Sequence, residues 1–241
     1  MIPCTAALAL AVVLLAGCAT RSISNSGYDS DRYRYGWAAS GGYNGELSEL
    51  DVLGVSPDAT ISEGDIRAAL ADAKPPQLER NSKVLLVQSG AEFPDEPMMT
   101  ALNQRFQVLP FSGRPTWKPE SHAAYSKTLR LAAARGGYDK IICYWGILES
   151  AQENQATKIV SWVPLVGYLV PDQKQSMRIR LKAAIIDVSS GRWTFVMPAP
   201  ATSSDFSSIV TRRNTDQSLV AELKEAGYRS LVRELVEKHT G

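Results

Sequence analysis

Apolar positions recur in two rhythms along this chain. Ile66, Ala69, Leu70 and Ala73 fall at the spacing of one helix face. Ser62 and Asp65 stand in front of them as a Ser-x-x-Asp start signal, and Lys74-Pro75-Pro76 ends the segment. Residues 83–88 (KVLLVQ) form a short apolar run of strand length. Pro97 suits a first helical turn, and Met98, Ala101 and Leu102 share a face behind it. Residues 106–111 (FQVLPF) read as a second strand. Residues 121–135 are Ala-rich and helical, closed by Gly136-Gly137. Residues 139–148 barely alternate and predict a strand buried on both faces.

The second half changes rhythm. Strands are predicted over 157–163 and 176–188. In the latter, Met177, Ile179, Leu181, Ala183 and Ile185 alternate with Arg178, Arg180 and Lys182, a strand with one apolar and one basic row. Ser189-Ser190-Gly191 is a turn, and 192–197 return as a strand. Residues 216–238 carry Val220, Leu223, Gly227, Leu231 and Leu235 as a helical stripe. The order is helix, strand, helix, strand, helix, four strands expected as a meander, then helix. Alternation first suggests a parallel part, and hairpins then add an antiparallel part. The fold class is mixed α/β, a single three-layer-like domain over 46–241 with one mixed sheet flanked by helices.

The first 45 residues differ. An apolar run of about 11 residues, 6–16, is well short of the roughly 20 needed to span a bilayer. It leads into Leu15-Ala16-Gly17-Cys18, which resembles the lipobox of bacterial lipoproteins. That resemblance implies a signal peptide over 1–17, acylation (palmitate included) of Cys18, and Cys18 as the working N-terminus. Residues 1–5 hold no Lys or Arg, which departs from the usual signal pattern. Ala19, in place of Asp, implies by the same resemblance the outer membrane, with the domain facing the periplasm. Residues 18–45 are rich in Ser, Gly, Tyr, Asn and Arg, and read as a lipidated flexible tether with a reach of roughly 30 Å.

Charge narrows the partners. The formal net charge is +1, from 26 basic and 25 acidic residues, and no field of one sign argues for nucleic acid. Beyond Cys4 and Cys18 only Cys143 remains, within Ile141-Ile142-Cys143-Tyr144-Trp145, where it reads as a small buried hydrophobe.

Two segments could carry function. Residues 162–171 (WVPLVGYLVP) are apolar, hold two prolines and a glycine, and lie between two strands. They either close the core or expose Trp162, Leu165, Tyr168 and Leu169 to a partner or to lipid. The row Arg178, Arg180 and Lys182 either meets anionic groups or forms a solvated face paired with Glu149 and Glu153. Catalysis has little to stand on. His122 lies in a first helical turn, and His239 is expected at an exposed helix end. No His/Cys/Asp/Glu cluster has metal-ligand spacing, and neither a phosphate loop nor a Gly-x-Ser-x-Gly elbow occurs. No catalytic residue, metal or cofactor is expected.

Arg135-Gly136-Gly137-Tyr138-Asp139 before a strand, and Asp187-Val188-Ser189-Ser190-Gly191-Arg192-Trp193 at a hairpin, resemble passages in periplasm-facing lipoproteins. The group includes curli-channel, penicillin-binding-protein-activator and exopolysaccharide-export lipoproteins, and the layout is also similar to the rhombotarget lipoprotein family. The resemblance spans 83–239 and implies a non-enzymatic, lipid-anchored accessory domain that docks another envelope protein. It leaves open a ring-forming subunit of an export assembly built by self-association, and, further off, an envelope hydrolase.

Overall fold

The computed structural model describes residues 21–25, 46–56, 60–114, 122–154, 159–164, 176–203 and 216–239. One mixed sheet forms the middle layer. Its strands are β1 (Arg21–Ser22), β2 (Lys83–Gln88), β3 (Gln107–Phe111), β4 (Lys140–Asn154), β5 (Ile159–Pro164), β6 (Ser176–Asp187), β7 (Trp193–Val196) and β8 (Ala201–Thr202). The helices are α1 (Glu49–Leu53), α2 (Glu63–Ala71), α3 (Glu96–Asn103), α4 (His122–Arg135) and α5 (Asp216–His239).

The main path runs β3-β2-β4-β6-β7, so the sheet is open at β3 and β7. The pairs β2–β3 and β2–β4 are parallel, and β4–β6 and β6–β7 are antiparallel. Pro110 sits in β3, at an edge where a missing backbone donor is tolerated. One face packs on α3 and α5, through Val84, Leu86, Met98, Leu102, Ile142, Ile185, Leu223 and Leu231. The other packs on α1 and α4, through Leu85, Val87, Val52, Leu129, Ile141, Cys143 and Ile186. The three-layer α/β expectation holds, and the unbroken apolar runs of β2 and β4 follow from burial on both faces.

Several expectations are corrected. The four late strands are not a meander, because β6 pairs with β4 rather than with β5. Twelve alternating residues of β6 match β4 from Lys140↔Asp187 to Ala151↔Ser176, and that ladder buries Met177, Ile179, Leu181, Ala183 and Ile185. The shorter β5 takes the other edge of β4, from Asn154↔Ile159 to Glu149↔Pro164. Thus β5 and β6 flank β4 and run parallel to each other.

The expected α2 forms with its Ser62–Asp65 capping box, yet none of its residues is buried. The capping box at its start and the Arg192–Asp72 ion pair at its C-cap accompany a helix with no buried residue, and Leu70 is 71% exposed. His239 is buried rather than exposed, because α5 runs back along the core and the His239 carbonyl accepts from Leu78 N at 2.7 Å. Burial and the neighbouring Lys238 push its imidazole below the ordinary value.

Candidate functional site

Within 18–45, the stretch read as a tether, Arg21 and Ser22 pair into the sheet and Ile23–Asn25 pack beside it. β4 carries three partners in succession along one edge. They are β2 at 140–144, β1 at Ile147 and Leu148, and β5 from Glu149 to Asn154. β1 therefore fills the gap between the end of β2 and the end of β5. After it the chain turns in a short 3-10 segment, Ile23–Asn25, and Ile23 enters the core with 2% exposure. Gly146 makes the room: a Cβ there would lie 2.9 Å from Ile23 Cγ2 and 2.5 Å from Leu181 Cδ2. Burying an isoleucine contributes about 2 kcal/mol.

Polar groups complete the seat at the carboxyl end of β2. The Ser24 hydroxyl donates to Ser89 O at 2.6 Å and accepts from Gln88 Nε2 at 3.0 Å. Ser24 N donates to Ser22 Oγ at 3.1 Å. The Ser89 hydroxyl accepts from Leu47 N at 2.8 Å, so the chain on both sides of 26–45 is tied to one strand end. Burial pushes the Glu46 carboxyl up, and a hydrogen bond from Ser22 partly opposes that.

A buried network lies behind this seat. Gln88 Oε1 accepts from Asp95 N at 2.7 Å and from the Tyr144 hydroxyl. The Tyr228 hydroxyl donates to Asp95 Oδ2 at 2.5 Å, and Lys224 Nζ lies 2.9 Å from the same oxygen. The Tyr144 and Tyr228 rings meet edge to face at 5.7 Å. Burial holds both phenols well above their usual range. Cys143 is buried as expected, and burial pushes its thiol up, away from the thiolate a nucleophile needs.

The basic row is built around one carboxylate. Glu149, a buried residue, meets Arg178 Nε at 2.5 Å through Oε2 and Arg180 at 2.9 Å through Oε1. The Glu149 pairing expected from sequence is present, carried by the β4–β6 ladder. The Arg180 side chain remains 50% exposed. Lys182 pairs with Glu49 of α1 and lies 4.8 Å over the Phe195 ring. Trp162 stands opposite Ala151 in register. Cys18, Leu165, Tyr168 and Leu169 lie outside the described residues, and His122 is the first residue of α4.

Two features escaped the sequence reading. The seat for residues 21–25 had two signals. Ile23 is the one branched aliphatic between Cys18 and Gly45, and Gly146 interrupts a strand, which marks a close approach. The exposed apolar row of α2 had none, because its periodicity equals that of a buried helix. Among the described residues no group of His, Cys, Asp and Glu could hold a metal ion, and no helix is long and apolar enough to cross a membrane.

Comparison with curated proteins and with solved structures finds no match. The model of the YafT bacterial lipoprotein family matches residues 48–238, so the chain belongs to that family of bacterial lipoproteins.

Proposed function

We propose that this lipoprotein is held by acylated Cys18 on the periplasmic side of the outer membrane and acts, without catalysis, as an accessory domain that docks another envelope protein. The lipobox-like Leu15-Ala16-Gly17-Cys18 supports the anchor, and Ala19 supports the outer membrane. The buried, high-pKa Cys143 thiol and the internally bonded Tyr144–Gln88 and Tyr228–Asp95 pairs support a structural use of those groups.

The observation that carries docking is α2. Its Ile66 and Leu70, with Ile61 just before, are exposed large apolar residues on a capped helix that touches no core. Such a helix face fits a groove on a partner. The arginines of β6 are already engaged by Glu149, so the apolar helix is the better docking element.

A photo-crosslinking residue at Leu70 in intact cells tests this, with Leu131 on α4 as an exposed control. The expected result is a partner adduct from Leu70, absent from Leu131 and lost in Ile66→Glu at unchanged protein level. Equal adducts from both positions overturn docking through α2. A large closed oligomer in detergent would instead favour an export ring. Co-sedimentation with inner membrane overturns the outer-membrane placement, and a Cys18→Ala chain that stays in the membrane overturns the anchor.

A further inference from the structure

We infer that residues 21–25 are a clasp that moors the domain directly on the phospholipid surface carrying its anchor, with the level of β1 held nearer the lipid than the Lys83 end of the sheet. The inference rests on the reading that Cys18 is acylated.

Chain length carries the argument. Two residues, Ala19 and Thr20, separate Arg21 from Cys18, and the three residue-to-residue steps span at most ~11 Å fully extended. Were the segment 18–45 loose throughout, its 28 residues would give an r.m.s. reach of roughly 30 Å. Seating residues 21–25 therefore changes a swinging tether into a short leash.

The seat is specific. Gly146 leaves room for Ile23, Ser24 bonds both Gln88 and Ser89, and β1 continues the edge of β4. Its place in the sheet sets the orientation. Arg21 stands opposite Leu148 and Arg180 opposite Ile147, so their backbones lie on adjacent rungs midway along β4, two strands or roughly 10 Å apart, with the side chains on opposite faces. Lys83 precedes Val84, which is level with Lys140, and thus lies roughly 25 Å further along the strands. The leash therefore holds the Arg21–Arg180 level of the sheet closer to the lipid than the Lys83 end.

The test uses the full chain, purified from membranes and returned to phosphatidylethanolamine–phosphatidylglycerol vesicles containing nitroxide-headgroup lipid. Bimane is attached at Arg180→Cys or at Lys83→Cys; buried Cys143 does not compete. Mass spectrometry of the N-terminal peptide first establishes acylation of Cys18. Quenching is expected to be several-fold stronger at position 180 than at 83. Hydrogen exchange is expected to be more than about tenfold slower across the amides of 21–25 than in an unstructured peptide.

Ile23→Asp should erase both differences while Cys18 remains acylated. If that variant fails to fold, Ser24→Ala removes two hydrogen bonds without entering the core, and should speed exchange at 21–25 and narrow the quenching ratio. Equal quenching at the two positions in acylated wild-type protein overturns the mooring. Fast exchange at 21–25 overturns the clasp itself. An unacylated Cys18 overturns the anchor and with it the mooring, whereas slow exchange would still uphold the clasp.

Discussion

Ile23 occupies the space that a side chain at Gly146 would take. A Cβ at 146 would stand 2.9 Å from Ile23 Cγ2 and 3.1 Å from Ile23 Cδ1. Gly146→Ala is therefore expected to destabilise by about 1–3 kcal/mol through overpacking. Part of that cost disappears if residues 21–25 simply undock, since local opening caps what a local clash can do. In an Ile23→Ala background Gly146→Ala should cost less, a non-additive pair read by urea denaturation of all four proteins. Additive costs would show that the Leu181 contact alone makes the glycine necessary.

Glu149 accepts from two arginines at once, Arg178 at 2.5 Å and Arg180 at 2.9 Å. Glu149→Gln keeps the volume and removes the charge, leaving two guanidiniums side by side. The expected loss is about 1.5–3 kcal/mol, the range for hydrogen bonds to charged groups. Solvent at half-exposed Arg180 screens part of it. Arg178→Met should cost more than Arg180→Met, because the Arg178 side chain is 21% exposed against 50%. Thermal melts of the three variants rank them, and the reverse order would mean that exposure does not govern the pair.

Most of the sheet and helices were legible because their periods are unambiguous. The alternating β6 row leaves one reading, and the β2 run KVLLVQ is told from a helix by its short length. Strand order was not legible, because it depends on which ladder buries more. A twelve-residue match of β6 to β4 outweighs the hairpin that sequence proximity suggests between β5 and β6. The two-residue β1 and β8 carry no period at all. Of the candidate site, the arginine row and its Glu149 partner could be read, since alternation fixes the face. The clasp was not read, because Ile23 and Gly146 are 123 positions apart and nothing in the sequence joins their two separate signals.

Asp187 closes the β6–β7 hairpin. Its Oδ1 accepts from the Ser189 hydroxyl at 2.6 Å and from Ser190 N at 2.8 Å, and Lys140 Nζ lies 3.1 Å from Oδ2. Burial favours the neutral acid, but these donors override it and hold the carboxyl well below the usual carboxylate range. The unfolded chain therefore takes up this proton first as pH falls. The contribution is complete above the unfolded pKa, near about 4, and is lost as pH falls toward the folded value. Asp187→Asn should lower stability at pH 7 and flatten the acid limb of a Tm-against-pH curve. An unchanged acid limb would assign it to other carboxylates.

Tyr228 joins α5 to the start of α3 through Asp95, which also holds Lys224. Tyr228→Phe removes the hydroxyl and keeps the ring against Tyr144, so the loss should be about 1 kcal/mol, one hydrogen bond to a charged acceptor that Lys224 still satisfies. Asp95→Ala should cost more, since it leaves the Tyr228 hydroxyl in a buried site and the Lys224 ammonium without its carboxylate. The two routes differ in kind: one deletes a donor, the other strands two. Guanidinium denaturation of both variants separates them. A Tyr228→Phe cost as large as that of Asp95→Ala would place the energy of the network in the Tyr228 hydroxyl, making it rather than the carboxylate the group that fixes α5 on the sheet.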